Sequence, residues 1–128
     1  VAEVNDEVVG YIDMSKEEYF PEDADNIIWF NKDKKAIYYH DEYALTLHHI
    51  VTDIPGKGIA TGLFENALSD LKQEGYQHVF SIVATAPLSN CASIIWHTRQ
   101  GFERICTHTP IDLFGLKNYQ ATLFYKEM

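Results

Sequence analysis

The 128-residue sequence is short of positive charge, of cysteine and of long apolar runs. Ten lysines and arginines stand against nineteen aspartates and glutamates, a formal net charge of −9, and the basic residues are scattered along the chain. Binding to a phosphate backbone relies on clustered Lys and Arg, so no nucleic-acid partner is expected. An acidic surface can attract cationic small molecules, although its general effect is solubility. No apolar stretch approaches the roughly 20 residues that span a bilayer. The opening VAEVNDEVVG also lacks the basic flank and apolar core of a signal peptide. The expectation is a cytosolic, cytoplasmic chain with no membrane partner. Cys91 and Cys106 are too few for a disulfide framework and lack metal-ligand spacing, which predicts free thiols and no metal site. The length and the 46% apolar content suit one domain over residues 1–128 with a core of its own.

Two apolar runs around a polar turn, Val1 to Val4 and Val8 to Met14, read as a hairpin. The chain has no initiating methionine and opens directly into this sheet, so an N-terminal portion is expected to be short or missing. SKEEYFPEDAD, acidic and containing Pro21, reads as an exposed excursion, or more sharply as a cation-attracting lip on a cleft. Asn26 to Phe30 and Ala36 to Tyr39 flank the charged NKDKK and read as short strands or a hairpin. EYALTLHHIVTD sets Leu45 and Leu47 against Thr46 and His48, the alternation of a strand.

The stretch IPGKGIATGLF follows, with Gly56, Gly58 and Gly62 packed into it. Ile59, Leu63, Ala67 and Leu71 then recur every four residues with Leu68 beside them, predicting an amphipathic helix that Gly75 stops. His78 to Ala84 is a nearly continuous apolar run, as in a buried central strand. Cys91 to Gln100 predicts a short helix ended by Gly101, and Phe102 to His108 and Tyr119 to Met128 predict the closing strands.

Glycines at a strand-to-helix turn let a ligand approach the backbone, and the unbonded amides of a helix N-terminus favour an anion. The stretch is not a Walker loop, because no GK[ST] follows, and it is not a dinucleotide GxGxxG. A tight structural turn into the helix is the equal alternative on the glycines alone. One strand later, NCASIIWHTRQGFE supplies a second motif. Together the two segments resemble the paired motifs of the GCN5-related N-acetyltransferases, which move an acyl group from coenzyme A to an amine. PGKGIA is similar to that family's [QR]xxGx[GA] pyrophosphate loop. NCASIIWHTRQGF is similar to its N-x-x-[AS]-x-x-[LF]-Y-x-x-x-G-F helix, with Asn90, Ser93, Gly101 and Phe102 in register. The resemblance extends over Val1 to Phe102 and, more loosely, the last strands.

The resemblance implies an α/β fold with a mixed, mostly antiparallel twisted sheet and flanking helices. Two central parallel strands, Leu45 to Thr52 and His78 to Ala84, are expected to splay apart. The pantetheine arm of acetyl-CoA, the implied cosubstrate, would lie along Ile50, Val51 and Thr52. Amides of Gly56, Lys57, Gly58, Ile59, Ala60 and Thr61 would hold the pyrophosphate, with Asn90 and Ser93 also on the cofactor. The acceptor is expected to be a small-molecule or peptide amine, and a homodimer through the terminal strands is a further expectation. Two positions depart from the pattern: Pro55 replaces Gln or Arg, and His97 replaces the tyrosine that protonates the thiolate.

His48, four residues before Thr52, is the candidate base for the amine, and His97 the candidate acid. Against these stand a packed His48 with a satisfied ring and a His97 that only edges the site. His49 reads as core or structural. Cys91 could be a reactive thiol at a helix N-terminus, though a small buried cysteine is the plainer reading. Trp96 reads as helix packing. Tyr11, Trp29, Phe30, Tyr38, Tyr39 and Tyr43 read as core or as an acceptor-pocket lining. The implied activity is N-acetyl transfer to a primary amine by direct attack. A non-catalytic acyl-CoA-binding domain on the same fold is the alternative.

Overall fold

A computed structural model describes residues 2–4, 7–16, 27–52, 58–86, 90–109 and 120–128. They form seven strands and three helices: β1 (Ala2–Val4), β2 (Glu7–Ser15), β3 (Ile27–Trp29), α1 (Asp33–His40), β4 (Ala44–Thr52), α2 (Ile59–Gln73), β5 (His78–Ala86), α3 (Cys91–Arg99), β6 (Glu103–His108) and β7 (Gln120–Glu127). The strands make one sheet in the order β1-β2-β4-β5-β7-β6-β3. Every neighbouring pair is antiparallel except β4 and β5, which are parallel. The expected α/β architecture, with its mostly antiparallel sheet and central parallel pair, is therefore present.

Each face of the sheet has its own apolar layer. On one face α2 and α3 cover Leu47, Val79, Val83, Phe102 and Phe124. Phe64 of α2 is 1% exposed and meets Trp96 of α3 edge to face, with 5.2 Å between ring centroids. Trp96 Nε1 and Gln100 Nε2 both donate to Thr61 Oγ1, at 3.3 and 3.4 Å, so the two helices are bonded as well as packed. Gly101, at φ 88°, turns the chain out of α3, and Lys126 Nζ of β7 donates to the Gln100 carbonyl at that helix end.

The other face carries α1 over Phe80, Ile105, Leu123 and Tyr125. Ala36–Tyr39 was expected as strand and is helix. The charged residues before it wind as the first turn: Asn31 Oδ1 accepts from the Asp33 amide at 3.2 Å, and the Lys34 and Lys35 amides bond back to Asn31 and Lys32 carbonyls. Tyr38 then inserts beside Phe80, ring centroids 4.9 Å apart. A four-residue apolar run is too short to reveal a helical period, and here packing on the sheet decides the conformation. At its far end Asp41 lies 3.4 Å from His78 Nε2, and His78 Nδ1 lies 2.7 Å from the Tyr125 hydroxyl. Burial and nearby carboxylates push the Tyr125 hydroxyl up to about 12, which keeps it neutral.

β3 and α1 lie within the connection between β2 and β4, yet β3 pairs with β6 at the opposite edge of the sheet. Most of the acidic excursion lies outside the described residues. Of the two terminal strands, β7 is flanked by β5 and β6 and only β1 is at an edge, so strand addition at β7 is closed. Cys106 is buried and its thiol is pushed up to about 12 by that burial; Cys91 is free and exposed, against the expectation of a buried residue. Cys91 is the first residue of α3.

Truncating Phe64→Ala removes the ring that joins α2 to α3. It should lower unfolding free energy by about 3 to 5 kcal/mol, read as a reduced midpoint in urea with little change in slope.

Candidate active site

The β4·β5 ladder pairs Ala44 with His78, Leu45 with Val79, Thr46 with Phe80 and Leu47 with Ser81, and among the described residues it ends there. Both strands continue, β4 to Thr52 and β5 to Ala86. Beyond Leu47, β4 stays bonded to β2 through Ile50 and Thr52, and β5 stays bonded to β7 through Val83 and Ala84. Two interior strands thus diverge with their outer ladders intact. A cleft of about 200 Å³ opens at this point, walled by Leu47, His48, His49 and Ile50 on one side and Ser81 and Ile82 on the other. Asn90, Ser93 and His97 of α3 complete its lining.

Beyond the end of β4, α2 begins at Gly58, whose φ of 71° and ψ of 11° are left-handed. Its carbonyl accepts from the Gly62 amide at 3.0 Å, and a Cβ built on it would meet nothing within 4 Å. The amides of Ile59, Ala60 and Thr61 belong to the first turn, where a helix has no acceptor of its own to offer them. That end therefore carries the positive end of the helix dipole beside an open approach.

Inside the cleft the polar groups are bonded to one another. His97 is 3% exposed; its Nδ1 lies 2.6 Å from the Ser93 carbonyl and its Nε2 2.7 Å from Ser81 Oγ. A carbonyl can only accept, so Nδ1 carries the proton and Nε2 is the acceptor for the Ser81 hydroxyl. Burial moves the His97 pKa below its ordinary value, opposed in part by the Ser93 carbonyl, so the ring is held neutral. His48 Nε2 is hydrogen-bonded to Ser15 Oγ on the neighbouring β2. Asn90 is the N-cap of α3, its Oδ1 accepting from the Ser93 amide at 3.2 Å.

No protein-family model matches the chain, and no curated protein matches it in sequence. Solved structures do match it in shape. A ribosomal-protein-alanine N-acetyltransferase from Brucella melitensis superposes with a TM-score of 0.71 at 21% identity, over 100% of this chain and 67% of the other. An N-acetyltransferase from Staphylococcus aureus gives 0.65 at 19%, over 98% and 64%. The ribosomal-protein-S18-alanine N-acetyltransferase from Escherichia coli gives 0.56 at 18%, over 67% and 55%. The chain has the GCN5-related N-acetyltransferase fold. It spans about two thirds or less of the length of these structures.

Within the GCN5-related fold the residues singled out in sequence fall into three groups. His48, Ile50, Asn90, Ser93 and His97 meet around the cleft. Gly58, Ile59, Ala60 and Thr61 form the start of α2, with the Thr61 hydroxyl oxygen turned to α3. Val51 and Thr52 continue β4 past the ladder's end, and Gly56 and Lys57, with Pro55, lie outside the described residues. His49 is not core: its side chain is 62% exposed and Nδ1 lies 3.6 Å from Asp13 on β2. The register of β4 against β2 shifts between Leu47 and His49, so His49 stands opposite Asp13 while Ile50, opposite Ile12, continues the apolar face of Leu47. Trp96 packs as expected. Tyr38 is buried, whereas Tyr11, Phe30 and Tyr43 are exposed.

Ser81 was missed. Its signal was a lone hydroxyl in the apolar run HVFSIVA, and its partner lies 16 residues on, in α3.

A neutral, buried His97 makes stability depend on pH. The unfolded chain takes up a proton near pH 6.5 and the folded chain does so only at lower pH. Stability is therefore full above that value and falls as pH drops through it, by up to about 1.4 kcal/mol per pH unit for one proton. His108, whose pKa burial also lowers, adds in the same direction. Urea unfolding between pH 8 and 5 should show a shallower loss for His97→Gln than for the wild type.

Proposed function

We propose that this chain transfers an acyl group, acetyl from acetyl-CoA, to a primary amine. The observation that carries the reading is the end of the β4·β5 ladder at Leu47 and Ser81, with a histidine-lined cleft at the fork and an open helix N-terminus beyond it. A strand edge exposed inside a sheet suits an extended amide-bearing arm, which adds to it as another strand would. Pantetheine is such an arm, and it would run along His48 to Thr52. The α2 amides of Ile59 and Ala60, beside the bare Gly58, suit the pyrophosphate that the arm carries.

In this reading the thioester carbonyl sits at the fork and the amine attacks it directly. His48, half-buried and steadied by Ser15 of β2, takes the proton from the amine. His97, with Nδ1–H held by the Ser93 carbonyl, lines the cleft on the side where the thiolate departs. The acceptor is a peptide or small-molecule amine; two of the similar structures are named as alanine N-acetyltransferases of ribosomal proteins, which makes a peptide α-amine the first acceptor to try.

A second reading, an acyl-CoA-binding domain without turnover, is favoured by one observation: both ring nitrogens of His97 are already bonded within the protein. Turnover separates the two.

A Cβ at Gly58 meets nothing within 4 Å, so Gly58→Trp, strained by the left-handed φ but not by a clash at Cβ, closes the approach to α2. Calorimetry should show acetyl-CoA affinity falling by roughly 100-fold or more as the phosphate contacts are lost, with the circular dichroism spectrum retained. A folded wild type that takes up no acetyl-CoA would remove the reading. His48→Gln should leave acetyl-CoA binding intact while lowering kcat by about 100-fold or more, measured as CoA release in the presence of an alanine-terminated peptide. An unchanged kcat would take the base role from His48.

A further inference from the structure

The lining of the cleft contains a hydroxyl that direct transfer does not need. Ser81 sits at the last rung of the parallel ladder, 3% exposed yet lining the cleft. Its Oγ is 2.7 Å from His97 Nε2, and His97 Nδ1 is anchored on the Ser93 carbonyl at 2.6 Å. The Ser93 hydroxyl is also within 3.3 Å of the same Nδ1. A nucleophile bonded to a base, and a base oriented by a third group, is the arrangement that activates an alcohol. The proton inventory points the same way. With Nδ1–H given to a carbonyl, Nε2 is bare and takes a proton from Ser81 rather than donating one.

We propose that Ser81 and His97 form a nucleophile and base pair that accepts the acyl group of acyl-CoA, giving the chain a covalent acyl-serine state and a thioester-hydrolysing activity. The inference rests on the acyl-CoA reading of the cleft.

Ser81 Oγ attacks the thioester carbonyl carbon as its proton passes to His97 Nε2, and a C–O bond forms. Collapse of the tetrahedral adduct breaks the C–S bond, and the departing thiolate takes the proton from Nε2. CoA leaves and Ser81 carries an ester. Water then attacks the ester carbonyl, passing a proton to Nε2, and that proton returns to Ser81 Oγ as its C–O bond breaks. The sum is acetyl-CoA and water to CoA and acetate. An amine in place of water would give the amide through the same ester. His97 keeps Nδ1–H on the Ser93 carbonyl throughout, which steadies the transient imidazolium.

The test uses the full chain carrying Cys91→Ser, so that the exposed thiol cannot take the label, and acetyl-CoA with no amine. Rapid quench, intact mass and peptide mapping read the adduct, and a thiol reagent reads released CoA. The expected result is one acetyl group, on Ser81, formed with a burst of about one CoA per chain and followed by slower release. Ser81→Ala should lose the adduct and slow CoA release by roughly 100-fold or more, while Ser81→Cys should carry the acetyl group as a thioester. His97→Asn should slow the burst by a similar factor.

Acetyl-CoA binding is measured on the same samples. Binding without an adduct on Ser81, or an adduct on any other residue, overturns the inference and leaves the transferase reading standing. Failure of the wild type to bind acetyl-CoA overturns both. Should Ser81→Ala not fold, the wild-type peptide map alone decides.

Discussion

The candidate site depends on where hydrogen bonding between two parallel strands stops. Four rungs join β4 to β5, and after Leu47 and Ser81 each strand leans only on its antiparallel neighbour. Because β2 and β7 keep their ladders, the divergence costs the sheet little, and peptide groups of β4 and β5 turn toward the gap. Buried backbone groups are almost always bonded to something. One is satisfied internally, since the Asn90 amide donates to the Ala84 carbonyl at 3.0 Å and so seats the start of α3 beside the fork. A bond between loop and strand thus places Asn90, Ser93 and His97 on the cleft.

The two faces of the sheet have different tasks. The layer under α2 and α3 is tied by Phe64 against Trp96, by two donors on Thr61 and by Lys126 at the end of α3. These contacts set the spacing of the helix that offers free amides from the helix that offers His97. Any ligand spanning both would meet a rigid frame. The layer under α1 is held instead by Tyr38 on Phe80 and by Asp41, His78 and Tyr125 in series, at the opposite end of β5 from the fork. Ile82, packed against this layer, also lines the histidine cleft.

Much of this was legible because it is local. The four-residue period of Ile59 to Leu71 points to α2, the continuous run from His78 to β5, and the glycines to the turn into α2, where Gly58 is left-handed. Paired motifs pointed to the GCN5-related fold, which sequence comparison with family models and curated proteins does not detect. What escaped notice depends on contacts distant in sequence. α1 is helical because Tyr38 finds Phe80, and AIYY alone cannot show that. His49 would keep the inward parity of Leu45 and Leu47, but an irregularity in the β2·β4 register gives that face to Ile50 and turns His49 out beside Asp13. Ser81 looks like a tolerated hydroxyl in a core strand until α3 brings a histidine above it.

The short outer strands have a consequence for assembly. β1 and β3, at the two margins of the sheet, are three residues each, and three residues offer a poor template for a foreign strand. Among the described residues, another stretch of open backbone is the one at the fork, walled on both sides by its own sheet and lined by α3. A narrow slot of that kind admits a thin chain such as a ligand's arm and keeps out a whole polypeptide edge. The fold thus offers a β-edge for recognition in its interior, enclosed by its own strands.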